Sequence, residues 1–467
     1  MTTSVRTQTP RQRPPRGAAP RLGALVEKAL GGPLPLRLRA WDGSEYGPGG
    51  GPVVVLRSRR ALRRLLWEPG ELGLAEAYVT GEIDVEGDLA QGLRLMWRAA
   101  REGALHPPKL GLGDRAGALA SAARLGALGP RPPVPASRAR LSGALHSTTR
   151  DRAAISHHYD LSNDFYRLLL DETMAYSCGY WAEGTADPED GDTAEAGRLA
   201  QRAKLELICR KLDLGPGSRL LDIGCGWGSL TLYAAAEHGV KVTAVTLAAE
   251  QAAHVAAEVA ARGLGELVDV ECRHWRDITG GGYDAVATVE MGEHVGDAEY
   301  PQFTAALHGL VRPGGRVFVQ QMSRGSVAPG GGAFIETYIA PDMHMRPLGE
   351  TIGLLEGADL EVVSVQSLRE HYVRTVGVWH RTLEERWAEF TALLGEETAR
   401  VWRLYLVGGA LAFAEGRMGV DQIVCVRRAA DGASGLPADP VRWYTVGGTD
   451  TGNAGFTAGG PDTGDAA

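Results

Sequence analysis

Leu220-Leu221-Asp222-Ile223-Gly224-Cys225-Gly226-Trp227-Gly228 is the stretch on which the reading of this 467-residue chain turns. The largely apolar run Ser218 to Ile223 predicts a short buried parallel strand, and Ser229 to His238 has helical spacing. Between them Gly224, Gly226 and Gly228 make a tight turn. Glycine takes positive φ there, and without a Cβ it lets a ligand approach the backbone and the helix N-terminus. Such a turn alone is shared with dinucleotide-binding folds and with turns that only pack. The next segment narrows the choice. Val240 to Thr246 alternates like a second strand, and a nicotinamide-binding fold wants an acidic residue at its end to hold a ribose. This chain has Thr246 there and Gln251 a turn later, which argues against a dehydrogenase.

Working outward, Val268 to Cys272, Tyr283 to Val289, Arg316 to Gln321, Leu360 to Leu368 and Gln422 to Val426 read as further strands. Thr193 to Leu212, Ala252 to Arg262 and Phe303 to Leu310 read as helices between or before them. Repeated units of this kind predict an α/β fold, a doubly wound and mostly parallel sheet whose ligand crevice lies at the carboxyl ends of its strands. Phe334 to Glu356 and Tyr372 to Gly416 read as insertions with helical patterning.

Five domain-level segments follow. Residues 1–20 are a basic, Pro/Arg/Thr-rich tail expected to be disordered. Residues 21–101 form a small α+β domain, with a helix at Leu22 to Leu30, strands at Leu34 to Trp41 and Gly51 to Arg57, and a helix at Ser58 to Trp67. Residues 102–150 are an Ala/Gly/Pro/Arg-rich linker with one helical stretch, Gly117 to Leu128. Residues 151–429 carry the α/β domain, and 430–467 form a Gly/Asp/Thr-rich tail that is mostly disordered apart from Val441 to Val446. The basic run Arg138 to Arg152 faces either lipid headgroups or solvent.

A net charge of -8 removes the global electrostatic case for nucleic-acid binding. The five cysteines are widely spaced and form no Cys-x-x-Cys pair, so free thiols in a reducing compartment are expected, with no structural zinc. No apolar run approaches the ~20 residues of a membrane span. No apolar segment follows the N-terminal arginines as it does in a secretory signal. The expectation is a cytoplasmic protein that touches the inner face of a membrane peripherally, either as a monomer or as a homodimer.

Several segments together resemble the cyclopropane-fatty-acyl-phospholipid synthase family, S-adenosylmethionine-dependent methyltransferases related to the mycolic acid cyclopropane synthases. They are His158-Tyr159-Asp160-Leu161 with Asn163-Asp164-Phe165-Tyr166, Tyr176-Ser177-Cys178, Leu221 to Gly228, Val245-Thr246-Leu247, Glu293-His294-Val295-Gly296 and Tyr338-Ile339. Leu72 to Asp88 is similar to the N-terminal domain of the full-length phospholipid enzymes. The resemblance implies a class I methyltransferase sheet. It implies that S-adenosylmethionine is held by Tyr176, Ser177, Asp222, Gly224, Cys225, Gly226, Gly228, Thr246, Gln251, Trp275 and Arg276, with Trp275 offering a flat face to adenine.

The chemistry implied is demanding. An isolated alkene is a poor nucleophile, so a sulfonium methyl has to be held in line with it, and the resulting carbocation must lose a proton in a site that excludes water. In the family that base is a bicarbonate ion. The resemblance places its ligands at the Cys178 backbone, Glu293, Gln320 and Tyr338. This chain departs from the pattern at two of the positions compared: Gln320 stands where the family has a histidine, and Gly409 where members carry a cysteine. An amide donates a hydrogen bond but does not become cationic. A third departure, Pro341 to Met345, brings His344 near the tyrosine, either as a replacement titratable group or as a surface side chain. The expected function is transfer of a methylene or methyl group to the double bond of an unsaturated phospholipid acyl chain, giving a cyclopropane. The rivals are a C-methyltransferase that makes a methylene- or methyl-branched acyl product and a non-catalytic donor-binding protein. Trp67, Leu72, Leu74 and the basic linker are the expected membrane contacts.

Overall fold

The computed structural model describes residues 17–102, 123–138, 150, 163–183, 185, 193–325, 330–437 and 443–444. Most of the N-terminal tail, half of the helical stretch Gly117 to Leu128, most of the basic run, the His158-Tyr159-Asp160-Leu161 motif and most of Val441 to Val446 fall outside these residues.

The N-terminal unit contains α1 (Ala18–Leu30), β1 (Arg37–Arg39), β2 (Glu45–Tyr46), β3 (Val53–Leu56), α2 (Arg60–Trp67), α3 (Glu71–Val79), β4 (Ile83–Glu86) and α4 (Leu89–Glu102). Its four strands are ordered β2-β1-β3-β4, with β1 and β3 parallel. Leu22, Leu38, Leu56, Ala61 and Ile83 close its core.

The second unit contains α5 (Asn163–Leu169), α6 (Thr193–Lys211), β5 (Arg219–Ile223), α7 (Ser229–His238), β6 (Lys241–Thr246), α8 (Ala249–Ala261), β7 (Val268–Cys272) and β8 (Tyr283–Val289). It continues with α9 (Tyr300–Leu310), β9 (Val311–Arg324), α10 (Ala333–Tyr338), α11 (Leu348–Gly357), β10 (Glu361–Ser367), α12 (Arg369–Glu385), α13 (Trp387–Leu394), α14 (Glu396–Ala414) and β11 (Met418–Val426). The seven strands are ordered β10-β11-β9-β8-β5-β6-β7. Pairing is parallel from β9 to β7, and β11 runs antiparallel to both its neighbours. This is the doubly wound, mostly parallel sheet expected from the sequence. Strand order reverses between β5 and β8, which places the crevice beside the glycine turn.

Both faces of the sheet are covered. Leu205, Ile208, Leu230 and Val255 pack against one face, and Phe303, Leu307 and Leu355 against the other. Near-continuous burial of Leu220 to Ile223 follows from that double cover. The inserted helices α12 to α14 and α5 add a third apolar cluster rich in aromatic rings, including Phe165, Tyr166, Trp227, Tyr372, Trp379 and Trp402.

The two units meet along α14 and α10. Tyr78 and Leu89 pack on Val407 and Leu411, and Leu72, Ala75 and Val79 on Phe334 and Tyr338. Leu72 therefore departs from the expectation of membrane contact: it is buried between α3 and α10, while Leu66, Trp67 and Leu74 are exposed. At the core of the N-terminal unit the buried Arg64 guanidinium donates to Glu82 through Nε and Nη2 and to Glu76 through Nη1, each at 3.1 Å. No helix among the described residues is long and apolar enough to cross a membrane.

Candidate active site

A cleft opens at the carboxyl ends of β5, β6 and β8, with Gly224, Gly226, Thr246, Trp275, Tyr176 and Glu290 in its lining. The glycine turn shapes one end. Gly224 has φ 81, and a Cβ there would lie 2.6 Å from Met291 Cγ, so the turn admits no larger residue without displacing that side chain. The Gly224 and Cys225 amides donate to Val245 O at 2.8 and 3.0 Å, which fastens the turn to β6. Asp222, the next-to-last residue of β5, is buried, accepts from Thr231 Oγ1 at 2.7 Å, and has its carboxyl pushed up to about 6 by burial. Thr246 Oγ1 donates to Gln251 Oε1 at 2.7 Å, so these two form one polar unit at the end of β6.

Trp275 lies in a 3-10 turn, edge-on to Phe303, with the Arg276 guanidinium 4.8 Å from its ring centroid. Arg276 is thus stacked on Trp275 and is not among the residues lining the cleft. Ser177 Oγ accepts from the buried Lys204 Nζ at 2.7 Å, and burial pushes that lysine down to about 8. The Tyr176 hydroxyl donates to the Tyr405 hydroxyl at 3.1 Å, and its ring lies against Trp379, with centroids 5.2 Å apart.

Two carboxyls follow β8: Glu290, half-buried in the lining, and Glu293, fully buried behind it. Glu290 Oε1 accepts from the Cys178 backbone N–H and from Gln320 Nε2, both at 2.8 Å, and Glu290 Oε2 accepts from the Tyr372 hydroxyl at 2.5 Å. Burial raises the Glu290 carboxyl, and these three donors oppose the rise. Glu293 Oε1 accepts from the Met322 amide at 2.6 Å, while its Oε2 has no hydrogen-bond partner among the described residues. Burial, and then the Glu290 charge, push the Glu293 carboxyl up to about 8, so at neutral pH it holds its proton. Only Glu290 of the pair lines the cleft.

Of the four residues expected at the base, Cys178, Gln320 and Glu293 lie in this region. Cys178 acts through its amide; its thiol is fully buried and raised by burial. Tyr338 does not join them: its hydroxyl donates to Glu76 Oε1 at 3.2 Å, between α10 and α3. The tyrosine that reaches the carboxylate is Tyr372, from the first turn of α12. The His344 backbone N–H donates to Glu293 O, and its ring faces Asp297. Sequence reasoning missed Glu290, Tyr372 and Lys204. For Glu290 the signal was present, an acid three residues before Glu293 at the carboxyl end of a central strand.

Glu290 also has φ 51, in the left-handed region that a side-chain-bearing residue rarely adopts. Holding it there costs about 1–2 kcal/mol relative to glycine.

Comparison with known proteins agrees with this architecture. The chain is 37% identical to a probable fatty acid methyltransferase of Pseudomonas putida over 413 residues, 86% of this chain and 95% of that one. It is 31% identical to the cyclopropane-fatty-acyl-phospholipid synthase of Escherichia coli over 297 residues, 63% of this chain and 74% of that one. Mycolic acid cyclopropane synthase CmaA1, crystallised with SAH and CTAB, superposes with a TM-score of 0.54 at 31% identity, covering 59% of this chain and 97% of that one. The mycolic acid cyclopropane synthetase pattern matches residues 146–423. The chain therefore belongs to the mycolic acid cyclopropane synthetase family and is an S-adenosylmethionine-dependent methyltransferase of fatty acid or lipid chains.

Proposed function

We propose that this enzyme methylates a double-bond carbon of an unsaturated acyl chain in a membrane lipid and releases a methylene-branched product. The observation that carries the reading is a half-buried, hydrogen-bonded carboxylate, Glu290, at the edge of the cleft and in contact with an aromatic cluster through Tyr372. Methylation of an amine or hydroxyl leaves no carbocation, whereas methylation of an alkene leaves one that must lose a proton to a base before water captures it. The relative matched along 95% of its length is named a fatty acid methyltransferase, which favours a branched product over a ring.

S-adenosylmethionine fits the cleft on the chemistry of its lining: the open turn at Gly224 and Gly226 for the methionine end, the Thr246–Gln251 unit for the ribose, and Trp275 for the adenine. When bound it supplies a methyl group on a positively charged sulfur. Ser177, held by Lys204, and the Tyr176 ring complete the enclosure. Asp222, tied to Thr231, orients the turn. We read no bicarbonate into the step, because the Cys178 amide and Gln320 already serve Glu290.

In the substrate, the transferred methyl bonds to one alkene carbon and the positive charge falls on the other. Removing a methyl proton at once closes a cyclopropane ring. A 1,2-hydride shift first moves the charge to the branching carbon, and methyl proton loss then gives an exocyclic methylene, with no reductant required. The electron-rich ring of Tyr176, which lines the cleft, suits the intervening cation. Exposed Leu66, Trp67 and Leu74 on the N-terminal unit are the proposed contact with the membrane that presents the lipid.

The test is incubation of the purified protein with methyl-labelled donor and oleoyl phospholipid vesicles, followed by NMR of the extracted lipid. Exocyclic methylene protons support the reading. Cyclopropyl protons replace it with ring formation, and donor binding without lipid label leaves only a binding protein.

A further inference from the structure

We propose that Glu290 is the resident general base of this reaction, and that Lys211 acts as a positioning residue that favours its anionic form through a relay of two glutamine side chains. The proposal rests on the functional reading above. In place of the anion that the sequence resemblance implied, the structure offers a carboxylate of its own: the Cys178 amide and the Gln320 amide group both donate to Glu290 Oε1, and a tyrosine, Tyr372 rather than Tyr338, donates to Oε2. The donors around this carboxylate are engaged by it. A glutamate at φ 51, where glycine would be unstrained, points to a role for the carboxylate itself.

The relay lies across neighbouring strands. Gln366 on β10 is in register with Gln422 on β11, and Gln422 with Gln320 on β9. Buried Lys211, the last residue of α6, donates to Gln366 Oε1 at 2.6 Å and to Gln422 Oε1 at 2.7 Å. Gln422 Nε2 donates to Gln320 Oε1 at 2.8 Å, and Gln320 Nε2 donates onward to Glu290. Every donor in the series points toward the carboxylate. Each polarised amide strengthens the next bond, so positive charge at Lys211 stabilises negative charge at Glu290. No carboxylate among the described residues pairs with Lys211, and burial pushes it down to about 7. The other charged or titratable groups that act on Glu290 or respond to it are Lys204, Tyr372, Cys178, Glu293 and Tyr405.

The step balances without a co-reactant. A carbon–carbon bond forms as the sulfur–methyl bond breaks with its electron pair left on sulfur. After the hydride shift, the methyl C–H pair becomes the new π bond and its proton passes to Glu290, which later releases it to solvent.

The experiment compares wild type, Glu290→Gln, Glu290→Gly and Lys211→Met in carbonate-free buffer, with S-adenosylhomocysteine binding by calorimetry as the check on folding. Wild type should turn over fully without bicarbonate. Glu290→Gln should bind the nucleoside normally and lose roughly 100-fold to 10,000-fold in kcat. Glu290→Gly should be inactive until formate or bicarbonate, added as a replacement anion, restores turnover with concentration. Lys211→Met should lose roughly threefold to tenfold on the acid side of the Lys211 titration and converge on wild type above it. A structural role would give a loss independent of pH. Wild-type activity that depends on added bicarbonate, or Glu290→Gln within a few fold of wild type, overturns the base while leaving the methyl transfer intact. Failure of wild type itself to label lipid overturns both.

Discussion

Replacing Tyr372 with phenylalanine removes one oxygen and leaves the ring in its aromatic cluster, where it lies 4.5 Å from Phe413. That oxygen is 2.5 Å from Glu290 Oε2 and holds the carboxyl down against the rise that burial imposes. A hydrogen bond to a charged group contributes about 1.5–3 kcal/mol, which is roughly one to two decades in the equilibrium between carboxylate and acid. The sign follows directly. Without the hydroxyl, Glu290 holds its proton to higher pH, and the base is ionised only above that point. Tyr372→Phe should therefore move the acid limb of the kcat profile to higher pH, lower the rate roughly tenfold or more on that limb, and meet wild type on the alkaline plateau. The assay is methyl-label transfer into lipid at saturating donor and substrate across the pH range. A uniform loss at every pH, or an unmoved acid limb, would refute the idea that Tyr372 acts by holding the base anionic.

Glu293 should behave in the opposite way to Glu290. It keeps its proton up to about 8, whereas the unfolded chain loses it near the ordinary carboxyl value, so the folded state binds the extra proton and stability falls as pH rises through that window. Glu293→Gln should retain activity within about tenfold. It should also remove that decline, a gain on the order of a few kcal/mol at alkaline pH by chemical denaturation. Gly224→Ala adds a Cβ 2.6 Å from Met291 Cγ at φ 81 and should weaken donor binding about tenfold or more by calorimetry. Arg64→Met leaves the buried Glu82 carboxyl without its cation and Glu76 with only the more distant Arg138, and should cost about 3–5 kcal/mol, read as a fall in Tm. Trp67→Ser combined with Leu74→Ser should reduce vesicle cosedimentation roughly tenfold without changing turnover of detergent-dispersed lipid.

The sheet around the cofactor cleft was readable because its signals are local. The change from a buried apolar run to glycines and then helical spacing defines β5 and α7, and β7 and β8 carry the bounds expected of them. Strand β9 starts earlier than the expected Arg316, at Val311, with residues 312–315 bulging out of register against β8. Helix α3 was missed because it is buried on nearly every side and shows no amphipathic stripe. The cleft was legible in the same local way, through Gly224, Thr246 and Trp275, which share its lining. The proposed base was not, because its parts come from far apart: Tyr372 reaches Glu290 across 82 residues of sequence. Tyr338 carried the family pattern, but the Glu76 carboxylate of the N-terminal unit engages its hydroxyl.

The two glutamines that lead to Glu290 sit on β11 and β9, so their spacing is set by the backbone ladder that holds these strands in register. A loop can drift by an ångström under mutation, but residues inside a paired sheet move only with their neighbours. Efforts to redirect where the proton leaves, and so to exchange one lipid product for another, should therefore alter strand positions such as Gln422, not the mobile rims where enzyme specificity is usually tuned.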